Sequence, residues 1–156
     1  MKKLTLLAVT AALSMNMAFA QDKPEQRATR EEAVAAVKAG VDFANSSSKD
    51  KLYADINGGD SQFKRHDLYL VVYGLDGHVH AHGATKKFIG KNLIDLKDVD
   101  GKEFVRERTE LGRSKGKFWQ DYKIADVTTK KVTSKSMYCE RLTDVLVCGG
   151  VYNVKK

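Results

Sequence analysis

Apolar residues recur with two different spacings along this chain. Residues 29–32 read Thr-Arg-Glu-Glu, a capping-box pattern, and the apolar positions that follow return every three or four residues as far as Ala44. This pattern predicts a helix over residues 30–45. A second short helix is expected over residues 49–56, stopped by the Asn-Gly-Gly sequence at 57–59.

The spacing changes near His66, where β-forming residues begin to dominate. Residues 67–73 are almost continuously apolar, which indicates a central strand covered on both faces, and a turn at 75–77 leads into a partner strand at 78–82. Further elements follow toward the C-terminus: short helical or irregular segments at 91–99 and 103–111, a loop at 112–117, and strands at 117–124, 131–142 and 145–154. This order predicts an α+β domain with helices packed on one antiparallel sheet of about five strands.

The chain has two cysteines, Cys139 and Cys148, within the last predicted hairpin. If a two-residue turn lies at 143–144, Leu142 and Val145 form the last hydrogen-bonded pair. Counting outward makes the cysteines a directly opposed, non-hydrogen-bonded pair, with Cα atoms about 4.5 Å apart and within disulfide range. We therefore predict a disulfide between them.

The first twenty residues have the features of a secretory signal peptide: two lysines, an apolar run from Leu4 to Leu13, and Ala-Phe-Ala at 18–20. We expect residues 1–20 to be removed and residues 21–156 to form one domain, periplasmic or secreted. No later stretch approaches ~18 consecutive apolar residues, so membrane insertion is not expected. The full chain has a net charge of +7, and removal of Lys2 and Lys3 with the signal peptide leaves a net charge of 25 − 20 = +5, with the charged residues interspersed along the mature chain. It gives a mild preference for anionic partners, and a translocated protein does not ordinarily meet nucleic acid.

Motifs along most of the mature chain resemble those of the single Cache domains, in particular the type called single Cache domain 2. The most specific is Ile-Gly-Lys-Asn-Leu at 89–93, followed by Asp-Leu-Lys-Asp at 95–98 and Asp-Gly-Lys at 100–102. The other matches are Phe63 with Asp-Leu-Tyr at 67–69, Asp-Gly at 76–77 with Val79, Ala81 and His82, Trp119 with Tyr122, Lys135 with Tyr138, and Gly-Val-Tyr at 150–152.

The resemblance implies a PAS-like extracytoplasmic fold, in which a long N-terminal helix packs on a curved antiparallel sheet. A small-molecule pocket is expected between the sheet and the crossover segments, for ligands such as short carboxylates. Such domains usually belong to chemoreceptors, sensor kinases and cyclases, and free-standing secreted members also exist. The expected function is that of a periplasmic ligand-binding sensor in signal transduction such as chemotaxis, acting through one of these receptors as a separate partner. A further alternative is an interaction module that binds no ligand and docks on a membrane sensor through the exposed face of its long helix.

A pocket for a small anion needs donors, a cation and walls that exclude water. The candidates are Trp119, Tyr122 and Tyr138 as rings with donors, Lys135 as the charge, Tyr69 or Tyr73 as further wall, and His80 or His82 as a neutral donor. Alternation on a regular strand places Trp119 and Tyr122 on opposite faces, so they share a cavity only if a bulge re-aims one of them. Lys135 and Tyr138 raise the same difficulty, and ordinary core packing is the competing interpretation for all these aromatic residues.

Three histidines alternate in the sequence Gly-His-Val-His-Ala-His at 77–82. On a strand, His78, His80 and His82 would share one face, which suggests a zinc or copper site and a metal-binding protein as the alternative function. No other cofactor is expected. The chain contains no nucleophile elbow, no phosphate-binding glycine loop and no free thiol beside a histidine, so we do not expect an enzyme.

Overall fold

The computed structural model describes residues 26–153, which contain three α-helices and one antiparallel sheet of six strands. The predicted signal peptide at 1–20 lies outside these residues, and the domain boundary at Gln21 stays a prediction. The elements, in chain order, are α1 (Arg30–Ser46), α2 (Lys49–Gly58), β1 (Lys64–Arg65), β2 (Leu68–Gly74), β3 (Val79–His82), α3 (Phe104–Lys115), β4 (Lys117–Ala125), β5 (Val132–Leu142) and β6 (Val145–Tyr152). The predicted α+β class is confirmed.

Local signals account for the start of helix α1. The Thr29 hydroxyl accepts a hydrogen bond from the Glu32 backbone N–H at 3.2 Å, and the Glu32 carboxylate accepts one from the Thr29 N–H at 2.9 Å. This is the reciprocal pairing of a capping box. The predicted helix over 30–45 is confirmed to within one residue.

The strands follow the order β1-β2-β6-β5-β4. Strand β3 also pairs with β2, at residues 71–73, after the two residues of β2 that pair with β1. All seven residues of β2 are buried because β2 lies inside the sheet and layers cover both of its faces. This explains its unbroken apolar sequence. The sixth strand, absent from the sequence prediction, is the two-residue β1.

Helix α3 is longer and more regular than its sequence suggested. Gly112 was expected to begin a loop, yet the helix continues to Lys115 and ends at Gly116, whose φ is +74°. A Cβ atom at Gly112 would lie 2.5 Å from a methyl carbon of Leu146, so the glycine allows α3 to pack closely on β6. Residues 91–99, by contrast, contain no helix.

The sheet has two buried faces, and each belongs to a different layer. Helices α1 and α2 cover the first, which we call the α1 face, where Leu52 packs near Leu70 and Val147. The second, which we call the cavity face, is covered by helix α3 and by the crossover, the segment of residues 83–103 between β3 and α3; here Val105 packs near Val71.

The cysteines have the predicted arrangement. Residue Leu142 pairs with Val145, and Cys139 faces Cys148 across β5 and β6, with Cα atoms 4.2 Å apart. The predicted register is confirmed, and the two sulfur atoms lie at bonding distance on the cavity face.

We expect the protein to contain no free thiol when it is denatured without reductant. Reduction should lower the free energy of unfolding by about 2–3 kcal/mol, because so short a loop restricts the unfolded chain only modestly. Urea unfolding with and without reductant measures this difference. The Cys139→Ala, Cys148→Ala double variant is the control and should not respond to reductant; two titratable thiols in the wild type would contradict the disulfide.

Candidate functional site

A cavity of about 290 Å³ lies between the cavity face and the crossover. Its volume is close to the lower end of the roughly 300–1,000 Å³ range of ligand pockets, which suits a small molecule. The walls come from β2, β3, β4, β5, the crossover, the start of α3 and the loop after β4. The residues that line it are Tyr69, Val71, Tyr73, His82, Thr85, Lys87, Phe88, Leu93, Leu96, Phe104, Tyr122, Ile124, Ala125, Asp126, Val127, Lys130 and Met137.

His82 presents a neutral imidazole to this cavity. Its Nδ1 atom accepts hydrogen bonds from the backbone N–H groups of Ala84 (3.2 Å) and Thr85 (2.9 Å). The ring stacks on Tyr69, with centroids 5.3 Å apart, and lies tilted against Phe88, with centroids 5.6 Å apart. Burial, and then the nearby positive charge of Lys135, lowers the pKa of His82 to about 4. Since Nδ1 is an acceptor, the proton of the neutral ring lies on Nε2, which makes that atom a hydrogen-bond donor.

Lys135 lies immediately behind the cavity wall. Its side chain is fully buried, and its Nζ donates a hydrogen bond to the Tyr69 hydroxyl at 2.9 Å. The same Nζ lies 4.1 Å from the Tyr69 ring centroid and 4.2 Å from that of Tyr152. Burial, and next the positive charge of Arg108, lowers the pKa of Lys135 to about 7. The lysine therefore supports Tyr69 and contributes positive potential from behind the wall.

Arg108 is a buried charge next to the cavity that reasoning from the sequence missed, although it does not itself line the cavity. It projects from α3, is fully buried, and donates from Nε to the Gln120 side-chain oxygen at 3.0 Å. Its guanidinium carbon lies 4.9 Å from the ring centroids of both Tyr73 and Tyr122, two residues that line the cavity. Neither Nη1 nor Nη2 has a hydrogen-bond partner among the described residues. Leaving charged donors buried and unpaired costs on the order of 1–3 kcal/mol or more.

The sequence did carry a signal for Arg108. Along α3 the buried positions include Phe104, Val105, Arg108 and Gly112, so the arginine interrupts an otherwise inward-facing stripe with helical spacing. A charged residue on the buried stripe of a helix needs a partner or a function. Reading residues 103–111 as short or irregular hid this pattern.

Asp126 lines the cavity, and both of its carboxylate oxygens already accept hydrogen bonds. Its Oδ2 accepts a hydrogen bond from Arg27 at 2.7 Å, and its Oδ1 accepts from the N–H groups of Thr128 (2.8 Å) and Thr129 (3.3 Å). Arg27 also donates to Asp67 at 3.1 Å. This cluster ties the segment before α1 to the loop after β4.

Four of the predicted site residues, Tyr69, Tyr73, His82 and Tyr122, line the cavity, and Lys135 lies directly behind it. Trp119 and Tyr138 do not reach it. Strands β4 and β5 pair without interruption from Lys117 to Ala125, so no bulge re-aims a side chain, and alternation sends these two rings to the α1 face. There Trp119 packs 5.2 Å from Tyr138 and 3.7 Å from the Arg30 guanidinium, measured to the Trp119 ring centroid.

His80 also lies away from the cavity, because the pairing of β2 and β3 shifts by one residue. Val72 faces Ala81 and Tyr73 faces Val79, which leaves His80 as the extra residue of a β-bulge. Its ring stacks on Tyr53 of helix α2, with centroids 5.2 Å apart and planes 11° from parallel. The expectation that His80 and His82 share a face was therefore wrong.

The three alternating histidines do not form a metal site in this structure. His78 is exposed in the turn, where its Nδ1 lies 3.0 Å from the Asp76 carboxylate, whereas His80 contacts α2 and His82 lines the cavity. Among residues 26–153, no group of three or more His, Cys, Asp or Glu side chains is placed to hold an ion. The metal-binding alternative has no support from the geometry.

Comparison with known proteins identifies the family. The chain belongs to the family described as single Cache domain 2, whose model matches residues 7–153. These domains are extracytoplasmic sensory modules that bind small molecules, and they occur in chemoreceptors. A search of the curated proteins gave no match.

Solved structures share the fold at low sequence identity. A methyl-accepting chemotaxis protein from Vibrio parahaemolyticus RIMD 2210633 is 22% identical, with a TM-score of 0.65 over 78% of this chain and 86% of that chain. A Cache chemosensory domain, solved to explain carboxylic acid recognition, is 17% identical, with a TM-score of 0.68 over 80% of this chain and 92% of that chain. A periplasmic sensor domain of a chemotaxis protein is 21% identical, with a TM-score of 0.63 over 80% of this chain and 90% of that chain. At such identities the likeness concerns the fold.

None of the helices described over residues 26–153 is long and apolar enough to span a membrane.

We expect His82 to make the stability of the fold depend on pH below neutrality. Its pKa is about 4 in the folded protein, below the ordinary histidine pKa of 6.5, so the unfolded chain takes up the proton first as pH falls. Stability should therefore fall between pH 6.5 and pH 4, by at most about 1.4 kcal/mol per pH unit from this group. Urea unfolding across this range should show a smaller pH dependence in His82→Gln. The exposed His66→Asn variant is the control and should keep the wild-type dependence; an unchanged slope in His82→Gln would contradict the assignment.

Proposed function

We propose that this protein is a periplasmic or secreted sensor that binds a small organic acid and is not an enzyme. The observation that carries the proposal is the fully buried Arg108 beside the cavity, with two donor groups that no described residue satisfies. A carboxylate against Tyr73 and Tyr122 would bring a negative charge next to this guanidinium. Arg108 does not itself line the cavity, so the carboxylate must reach its donors past these two rings, where charge-assisted hydrogen bonds to the guanidinium would satisfy them.

The other polar groups around the cavity also favour an anion. Neutral His82 offers its Nε2 proton, and Lys135 adds positive potential from behind Tyr69. Lys87 and Lys130 line the cavity and are exposed to solvent. Their positive charges can attract an anion over a short range. The recognition of carboxylic acids by one structural neighbour is consistent with this chemistry.

A sensor of this kind passes its signal on by contact. We propose a separate membrane receptor as the partner, of the sensor kinase, chemoreceptor or cyclase type. The occupied cavity would act on that partner through α3 and the crossover, because these two elements hold the ligand against the sheet. The ligand would stabilise whichever arrangement of these elements binds it better.

A thermal-shift screen of small organic acids at constant ionic strength tests the proposal. An acid present at about 100 times its Kd should stabilise the fold by about 2.7 kcal/mol. For a domain of this size the melting temperature should rise by roughly 5–10 °C. Chloride at the same ionic strength is the control for a general effect of anions, and a screen in which no acid raises the melting temperature would refute the proposal.

The Arg108→Met variant should lose this ligand-induced shift. Its melting temperature without ligand should stay close to that of the wild type, because the substitution removes two unpaired buried donors but also leaves the buried Gln120 oxygen without its Arg108 donor. Arg106→Met is the matched control: it removes the same charge from the same helix, but from an exposed side chain. A full ligand-induced shift in Arg108→Met, or its loss in Arg106→Met, would contradict the role of Arg108.

A further inference from the structure

Strand β4 forms one edge of the sheet, and alternate residues along it direct their backbone groups away from β5. Contacts with the crossover show which residues these are. The Asp121 carbonyl accepts a hydrogen bond from Lys102 Nζ at 2.7 Å, and the Lys123 N–H donates one to the Asp98 carboxylate at 3.0 Å. The odd-numbered residues of β4 therefore face outward, and the crossover covers the edge from Asp121 onward.

The first half of this edge, residues 117–121, is uncovered in the part of the chain that the structure describes. No residue among 26–153 forms a hydrogen bond with the outward backbone groups of Lys117 and Trp119 or with the Asp121 N–H. Strand β3 is treated differently, because the Asn57 side chain donates to the carbonyl of residue 80 and accepts from the N–H of residue 82. An uncovered strand edge is a template for pairing with another strand.

The open segment is complementary to itself. Antiparallel pairing of two copies about Trp119 places each Trp119 opposite the other, and it places Lys117 opposite Asp121 of the second copy. This arrangement would form about six backbone hydrogen bonds and two ion pairs. The side chains of all three residues would lie on the same face of the joined sheet, since their positions alternate by two.

Neighbouring registers lack this complementarity. An axis at Phe118 would place Lys117 opposite Trp119, and an axis at Gln120 would place Lys117 opposite Lys123 of the second copy. The second of these registers brings like charges together, which destabilises a pair of strands. Charge therefore selects the register centred on Trp119.

The length of the open segment fits the same register. Strand β4 begins at Lys117, because the chain leaves helix α3 at Gly116. A partner strand in this register would therefore end opposite Asp121. Beyond that point Asp98 already occupies the edge through the N–H of residue 123.

The three side chains are accessible to a partner. The Lys117 side chain is 65% exposed, and its Nζ forms one ion pair, with Glu140 at 2.9 Å, which leaves further donors on the ammonium. Asp121 is exposed, and only its Oδ1 has a described partner, the Ser136 hydroxyl at 2.5 Å. Trp119 is half-buried beside a surface groove that it shares with α1.

We propose that two copies of this chain pair through residues 117–121 of β4, antiparallel and about a two-fold axis at Trp119, so that their sheets become continuous. This inference concerns a surface separate from the cavity and does not depend on the proposed function. An interface of this size is small, so the dimer is expected to be weak, with a Kd on the order of 10–100 μM.

Sedimentation velocity of residues 21–156 over about 1–500 μM measures the association. The wild type should change from monomer to dimer across this range. Trp119 is the sole tryptophan of the chain, so its fluorescence reports on the proposed interface alone. Its emission should move to shorter wavelength as the protein is concentrated, because pairing buries the ring.

Charge reversal tests the register. Lys117→Glu and Asp121→Lys should each weaken self-association about tenfold or more, since each replaces two ion pairs with two pairs of like charge. An equimolar mixture of these two variants should recover the dimer, because every pair across the axis is then of opposite charge. The matched controls are Lys123→Glu, on the same strand beyond the pairing, and Asp42→Lys, exposed on α1; each should dimerise as the wild type does.

Thermal melts establish that each variant is folded before it is compared. If Lys117→Glu unfolds because it approaches Glu140, the exposed Asp121→Lys variant and its control still decide the question. A wild type that stays monomeric at about 500 μM would refute the proposal. So would self-association that Asp121→Lys leaves unchanged, or a mixture of two folded variants that forms no heterodimer.

Discussion

Layers cover both faces of this sheet, and each side chain of a regular strand must therefore belong to one layer or the other. The uninterrupted pairing of β4 with β5 assigns Tyr122 and Lys135 to the cavity side, and it assigns Trp119 and Tyr138 to the helices. A slip of one residue would exchange the two sets and expose each to the wrong layer. The pairing of Cys139 with Cys148 holds the central hairpin in the required register.

Two buried basic side chains on the cavity side have no carboxylate as a hydrogen-bond partner among the described residues. Asp67 and Asp126 both pair with Arg27, whereas the described partners of Arg108 and Lys135 are the neutral side chains of Gln120 and Tyr69. Such an arrangement lowers the stability of the empty protein. A site that lowers the stability of the empty protein gains more stability from a bound anion than a neutral cavity would. This favours a large difference in stability between the free and bound states. Sensors depend on that difference.

Features that depend on neighbouring residues were predictable from the sequence, and features that depend on distant pairing were not. The capping box of α1, the buried strand β2 and the register of the cysteine hairpin follow from local spacing. Alternation already separated Trp119 from Tyr122, and the regular strand kept them apart. The bulge at His80 arises from how β3 pairs with β2 and left no local signature. Arg108 did have a local signature, because it is a charged residue on the buried stripe of α3. This signature can be recognised only when α3 is treated as a regular helix.

The bulge in β3 also affects how this protein can change over evolutionary time. Two histidines separated by one residue contact different layers, since His82 stacks on Tyr69 at the cavity and His80 stacks on Tyr53 of α2. On an unbroken strand the two would share an environment, and a substitution at one would constrain the other. Here a lineage can alter the chemistry of the cavity at His82 while it conserves the helix contact at His80, or the reverse. A repetitive sequence thus encodes two positions that selection can adjust separately.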